Sequence, residues 1–295
     1  MSRTIVAIRC RNIGAPERKQ YEYLSRVFPD RVYFIVDNVD GGARLEPSLS
    51  NVTIEMSRAA IEDLRLRSFK NSGWQCGDYV AYVAARALSF DYLWIVEPDV
   101  AFTFTDPMTL FSRFEECDAD LVGASLGKRP PRWGWHASAA NLVGKDNVFG
   151  VFVSFARLSR RAVCHLGLAR SFHFTTIAAD APGPEIPNDE SFVASVLIRD
   201  GFSHRSIEDI APAGAFTNQT FTSSVPICNL EVEAGTLQDK VLHPVRDAAG
   251  AAFKLAAIRE RNADLWEKIR SRVVNSIGEE KWSEWSAPSQ QFSKN

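Results

Sequence analysis

Three five-residue apolar runs constrain this chain more than anything else in it: Thr4–Ile8, Val32–Val36 (VYFIV) and Tyr92–Val96 (YLWIV). A short run of this kind between turn signals marks a strand buried on both faces. The second closes at Asp37-Asn38 before an Asp40-Gly41-Gly42 turn, and the third closes at Glu97-Pro98-Asp99. Between the runs the period changes to that of a helix. Tyr21, Leu24 and Phe28 line one face of 17–28, and Ile61, Leu64 and Leu66 face inward after Ser57, a helix N-cap. Asn51–Met56 reads as a further strand and Asp78–Leu88 as a further helix. Strand and helix in alternation predict an α/β fold with a mainly parallel central sheet covered on both faces. The 295 residues suffice for one such unit with insertions or for two domains.

The second half is less regular. A helix over 107–116 and a strand over 120–123 precede Gly127–Asn147, a Trp- and Arg-containing stretch with little periodicity that reads as a long loop of the functional kind. Strand 148–155, helix 159–168, a helix over 189–199 begun by Asn188, and strand 203–207 follow. The pattern is weak over 210–240. Leu265, Ile269 and Val273 recur every four residues among charges, predicting one amphipathic helix over 251–277, with a loosely ordered tail after Gly278.

Composition removes several classes of function. Thirty-four Lys and Arg against 36 Asp and Glu leave a net charge of −2, so no overall field draws the chain to nucleic acid or anionic lipid. The five cysteines are scattered and contain no CxxC pair, which suits a reducing cytoplasm. The apolar stretch at the N-terminus is too short for a secretory signal, and no run approaches a membrane span, so a soluble, cytoplasmic protein is expected. No GxGxxG follows the first strand and no GxxxxGK[ST] occurs, which disfavours dinucleotide and P-loop enzymes.

Chemistry is concentrated at Glu97-Pro98-Asp99. Pro98 lacks an N–H and stops the ladder, so a buried strand delivers two carboxylates at its carboxyl end. Ligands bind at that edge of an open α/β sheet, where the connecting loops splay apart. A divalent cation on a diphosphate needs hard oxygen ligands in such a crevice, and Asp99 and Glu97 supply them. A simple strand end is the alternative, because Pro and Asp are common turn residues.

With the segments around it, this motif resembles that of the GT-A class of nucleotide-sugar glycosyltransferases, in which a strand ends in an Asp-x-Asp or variant acidic motif that holds Mn²⁺ or Mg²⁺ on the donor diphosphate. Here Glu97 stands in place of the usual first Asp. The resemblance implies a GT-A-like fold with a donor-binding half over 1–126, an acceptor-binding and catalytic half over 127–250, and the C-terminal helix and tail over 251–295. Before the helix that feeds the acidic strand, Asn71–Tyr79 would contact the donor, with Asp78 on ribose or sugar hydroxyls and Lys70 on a phosphate; a first-turn acid and a solvated lysine are the structural alternatives. Pro187-Asn188-Asp189-Glu190 resembles the acidic pair that supplies the general base of inverting enzymes, and either Asp189 or Glu190 would take the acceptor proton. Capping of the helix by Asn188 and its first-turn acids accounts equally for the same residues. His243 would be a further metal ligand and Arg246 a partner for the diphosphate, with a hydrogen-bonded structural residue as the alternative for His243. Lys128–His136, with Trp133 and Trp135, would meet a glycan or lipid-linked acceptor, and a rigid surface loop fits the same residues.

The function implied is metal-dependent transfer of a sugar from a nucleotide diphosphate donor to a hydroxyl acceptor, without nucleic acid and with peripheral membrane contact left open. Two rivals stand beside it. A sugar nucleotidyltransferase would carry a basic, Gly-rich loop where Arg9–Gly14 stands, and a non-catalytic scaffold would dock a partner through the C-terminal helix, Trp282 and Trp285.

Overall fold

The computed structural model describes residues 3–69, 71–178 and 185–287. In chain order its elements are β1 (Thr4–Cys10), α1 (Ala15–Ser25), β2 (Val32–Asn38), β3 (Thr53–Ser57), α2 (Arg58–Asp63), α3 (Ser72–Gln75), α4 (Tyr79–Ala87), β4 (Tyr92–Val96), β5 (Ala101–Phe102), α5 (Met108–Phe111) and β6 (Leu121–Lys128). There follow α6 (His136–Val143), β7 (Phe149–Ser159), α7 (Arg160–Thr176), α8 (Asp189–Arg199), β8 (His204–Ser206), β9 (Ile227–Cys228), α9 (Asn229–Glu233), β10 (Val241–Leu242), β11 (Val245–Arg246), α10 (Ala248–Arg261), α11 (Ala263–Ile277) and α12 (Glu279–Ser286). Two units divide the chain, one of Met1–Pro98 with Phe111–Ile210, the other of Asp99–Leu110 with Ala211–Asn295.

The first unit is built on a seven-stranded sheet in the order β3-β2-β1-β4-β7-β6-β8. Strands β1 to β4 are mutually parallel and β8 is parallel to β6, while β7 runs antiparallel to both of its neighbours. This is the mainly parallel, helix-covered α/β sheet expected from the alternation. The strands that read as unbroken apolar runs are the central ones: Ile5, Val6, Ile8, Leu93, Ile95 and Val96 have no exposed surface. On one face α4 buries Tyr79 through Ala84 in the core, and on the other Trp94 stacks on Phe155 at 4.6 Å. Side-chain caps start the helices where the sequence placed them: Ser57 Oγ accepts the N–H of Ala60 and Asn188 Oδ1 that of Ser191.

Two readings of this unit are corrected. The stretch 127–147 is not one long loop, because β6 continues to Lys128 and α6 occupies His136–Val143. The helix expected over 159–168 runs on to Thr176, and it does so around Arg170, a charged residue with no exposed surface that broke the apolar period.

In the second unit β5 pairs antiparallel with β10 and β9 pairs parallel with β11. Its core gathers Leu255 and Ile258 of α10, Ile269 and Val273 of α11, and Trp282 and Trp285 of α12. The single helix expected over 251–277 is instead two, α10 and α11. They break at Asn262, whose non-helical backbone leaves the side chain to cap α11, Oδ1 accepting the N–H of Leu265 at 3.0 Å. The tail expected to be loose carries α12, anchored by Trp285 Nε1 donating to the carbonyl of Arg246 at 2.9 Å.

Candidate functional site

Parallel register decides who meets the acidic motif. Ile8 of β1 lies beside Val96 of β4, so the next residues, Arg9 and Glu97, emerge side by side at the carboxyl edge of the sheet. Arg9 Nη1 lies 2.5 Å from Glu97 Oε1 and 3.8 Å from Asp189 Oδ2, and Nη2 donates to the carbonyl of Gly73. One largely buried guanidinium thus ties β1, β4, α3 and the start of α8 together. The segment from α3 to the start of α4 fits against this cluster only because it is glycine at the contacts. A Cβ on Gly77 would fall 2.2 Å from Asp189 Oδ2 and 2.3 Å from Arg9 Nη1, and one on Gly73 would fall 1.7 Å from Asp37 Oδ2.

The two acids of α8 are not equivalent. Asp189 is buried; its Oδ1 accepts the N–H of Glu190 at 2.8 Å. Burial pushes its carboxyl up, against the pull of Arg9. Glu190 is half-buried, and burial together with the nearby charge of Glu97 raises it to about 7, opposed by Arg129 and by Asn188.

Asp78 is placed differently from the expectation. It has no exposed surface: Arg170 Nη2 donates to Oδ1 at 2.8 Å, Arg170 Nε to Oδ2 at 3.0 Å, and Tyr82 Oη to Oδ2 at 2.5 Å. Arg170 in turn donates to the carbonyl of Pro187 at 2.6 Å and lies over the Phe192 ring. Both oxygens are committed to a buried ion pair that braces α4, α7 and the lead-in to α8, so Asp78 has nothing to offer a sugar or ribose. Lys70 lies outside the described residues.

In the second unit, Asp99, His243 and Arg246 come together. Arg246 Nη2 lies 2.5 Å from Asp99 Oδ2, and the N–H of Val245 donates to the carbonyl of Asp99 at 2.8 Å. The other carboxylate oxygen, Oδ1, is buried without a hydrogen-bond partner and faces His243 Nε2 at 3.7 Å. His243 Nδ1 lies 3.1 Å from the carbonyl of Thr222, a contact in which the nitrogen must donate. That contact turns Nε2, the other ring nitrogen, toward Asp99 Oδ1. Their separation is less than two coordination bonds of about 2.1 Å each, so one cation can reach both. An imidazole whose far nitrogen is held by a carbonyl is also the usual orientation of a metal-bound histidine.

Neither acid of the motif stands alone, since Glu97 pairs with Arg9 and Asp99 with Arg246. In each unit, charged residues not named individually from the sequence lie beside the candidate groups. Arg9 was legible as the first charge after the first buried strand, on the same edge as Glu97. Arg129 acts electrostatically on Glu190. Lys254 donates to the carbonyl of Ser223 and feels the charges of both Arg246 and Asp99; nothing local marks it among the lysines of the C-terminal stretch.

No protein-family model matches the chain, and no curated protein matches it. Solved structures show a distant likeness. One is glucosyl-3-phosphoglycerate synthase from Mycobacterium tuberculosis in complex with Mg²⁺ and uridine-diphosphate, at 16% identity over 61% of this chain and 67% of that one, TM-score 0.35. Others are mouse xyloside xylosyltransferase 1 in its apo form, at 10% identity over 69% and 84% with TM-score 0.39, and inositol-1-phosphate CTP transferase from T. maritima, at 11% over 70% and 86% with TM-score 0.35. Scores this low map no residue of theirs onto a residue here, and the chemistry has to come from this chain's own side chains.

Proposed function

We propose that this protein is a cation-dependent, inverting glycosyltransferase that moves a sugar from a nucleotide diphosphate donor to a hydroxyl of a glycan or lipid-linked acceptor. The observation that carries the reading is Asp99 Oδ1, buried without a hydrogen-bond partner on the residues that follow a buried strand, 3.7 Å from His243 Nε2. Asp99 and His243 are the ligands, and Glu97, separated from Asp99 in the sequence by Pro98 alone, is the second acid of the motif. A bound Mn²⁺ or Mg²⁺ supplies positive charge against the departing diphosphate. Arg246, half-exposed beside Asp99, offers its planar fork to a diphosphate oxygen, and Lys254 adds a second positive charge.

Of the two acids on α8, Glu190 is the base. Its carboxylate titrates near neutrality, where a general base is most effective, whereas Asp189 is buried and fixed by the backbone and Arg9. Asp189 then serves to hold the first turn of α8, and Arg9 to hold Asp189 and Glu97. Asp78 is withdrawn from donor contact. The free thiols of all five cysteines fit a reducing compartment such as the cytoplasm. No helix among the described residues is long and apolar enough to cross a membrane.

The rivals lose their anchors. A nucleotidyltransferase would need residues 9–14 as a mobile phosphate cradle, but Arg9 is engaged in salt bridges and Gly14 caps α1. A scaffold docking through Trp282 and Trp285 is disfavoured because both rings are buried in the core of their own unit. Thermal-shift measurements with UDP, GDP, CMP and dTDP, each with and without Mn²⁺, test the proposal. One nucleotide raising the melting temperature only when Mn²⁺ is present supports it, and silence from all four contradicts it.

A further inference from the structure

Trp74 is the one exposed tryptophan among the seven in the chain, with 65% of its surface open. Tryptophan is highly buried on average; a single exposed apolar residue is ordinary on a protein surface, whereas adjoining ones mark a contact surface. Trp74 is not isolated. The ring of Trp135, half-buried at the start of α6, lies 5.8 Å away at an interplanar angle of 61°, so the two form an open corner with a floor and a wall.

Both rings are carried by segments tied to α8. On one side, Gly73, next to Trp74, accepts a hydrogen bond from Arg9, which pairs with Asp189. On the other, the segment leading to Trp135 is held by Arg129, which donates to Ser125 and lies 5.2 Å over the ring of Trp133. The charge of Arg129 is felt by Glu190. The Arg9 contacts therefore tie the aromatic corner to Asp189, and Arg129 adds its charge near Glu190.

We infer that Trp74 and Trp135 form a stacking platform for a pyranose ring of the acceptor, so that the acceptor is a glycoside rather than a small acyclic alcohol. The inference rests on the glycosyltransferase reading above. A pyranose presents a flat apolar face of C–H bonds and a rim of hydroxyls. An indole face matches the first, and a second ring set at an angle closes one side while leaving the rim in water. Trp74, being the more exposed, carries the stacking, and Trp135 fixes its orientation.

Saturation-transfer NMR on the full chain tests this, with methyl β-D-glucopyranoside, methyl β-D-galactopyranoside and methyl β-D-xylopyranoside as ring probes and glycerol as the acyclic control. The wild type is expected to transfer saturation to the ring C–H protons of at least one glycoside and not to glycerol. Trp74→Ala should weaken that binding about tenfold, and Trp74→Phe should restore most of it. Nucleotide thermal shifts are recorded on the same samples. A nucleotide response with no glycoside signal, or with a signal unchanged in Trp74→Ala, overturns the platform and leaves the transferase reading standing. A glycoside signal that depends on Trp74 without any nucleotide response upholds the platform and removes the transferase.

Discussion

Replacing Glu190 by glutamine separates the requirement of catalysis from that of stability at one carboxyl group. In the folded protein the group titrates at about 7, against 4.5 for the ordinary side chain. Below pH 4.5 folded and unfolded chains both hold the proton, and Glu190 has no effect on the balance. Between pH 4.5 and 7 the folded protein keeps a proton that the unfolded chain has released, so stability falls as the pH rises and levels off above 7. The shift is worth about 1.4 kcal/mol per pH unit, or about 3 kcal/mol in all above neutrality. Glutamine is nearly the same shape and carries no charge, so Glu190→Gln should be more stable than the wild type by up to about 3 kcal/mol at pH 8 and equal to it at pH 4. Urea unfolding followed by tryptophan fluorescence at intervals from pH 4 to pH 8 measures this without knowledge of any substrate. The same variant should lose about 10²- to 10⁴-fold in turnover, the usual contribution of a positioned base. Two profiles that superimpose at every pH, or a variant weaker than the wild type at pH 8, would refute the account of Glu190.

Gly77→Ala drives a methyl group into Asp189 and Arg9, 2.2 and 2.3 Å from the new carbon, and should cost about 1–3 kcal/mol by overpacking. An unchanged urea midpoint would show that this contact is looser than described. Arg170→Met leaves Asp78 buried without its partner and should cost about 3–5 kcal/mol. Adding Asp78→Leu should recover most of that loss in a double-mutant comparison, and a small single effect with no recovery would count against the pair as a brace.

How much of this was legible beforehand follows the range of the signal. Strand β4 and helix α8 occupy the residues expected of them, because a five-residue apolar run stopped by Pro98 and a helix opened by Asn188 are local statements. The acidic motif at the carboxyl end of β4 was legible for the same reason. The two readings of Asp78 stayed open in the sequence because its partner Arg170 lies 92 residues away, and nothing near a first-turn aspartate tells a buried ion pair from an exposed ligand contact. Arg9 and Glu97 are 88 residues apart and meet only through the β1–β4 register. The C-terminal stretch kept a helical period across Asn262, so periodicity alone joined two helices that the cap at Asn262 separates. Trp282 and Trp285 looked available for a partner because their burial depends on α10 and α11 folding back on α12.

Isothermal calorimetry of MnCl₂ against the protein, in the presence of the nucleotide that responds in the thermal-shift panel, bears most directly on the metal assignment. Saturable one-to-one binding by the wild type, abolished in Asp99→Asn and weakened at least tenfold in His243→Ala with the fold intact by circular dichroism, is the expected result. Manganese heat that is absent in the wild type, or identical in all three proteins, would contradict the assignment of residues 99 and 243 as its ligands.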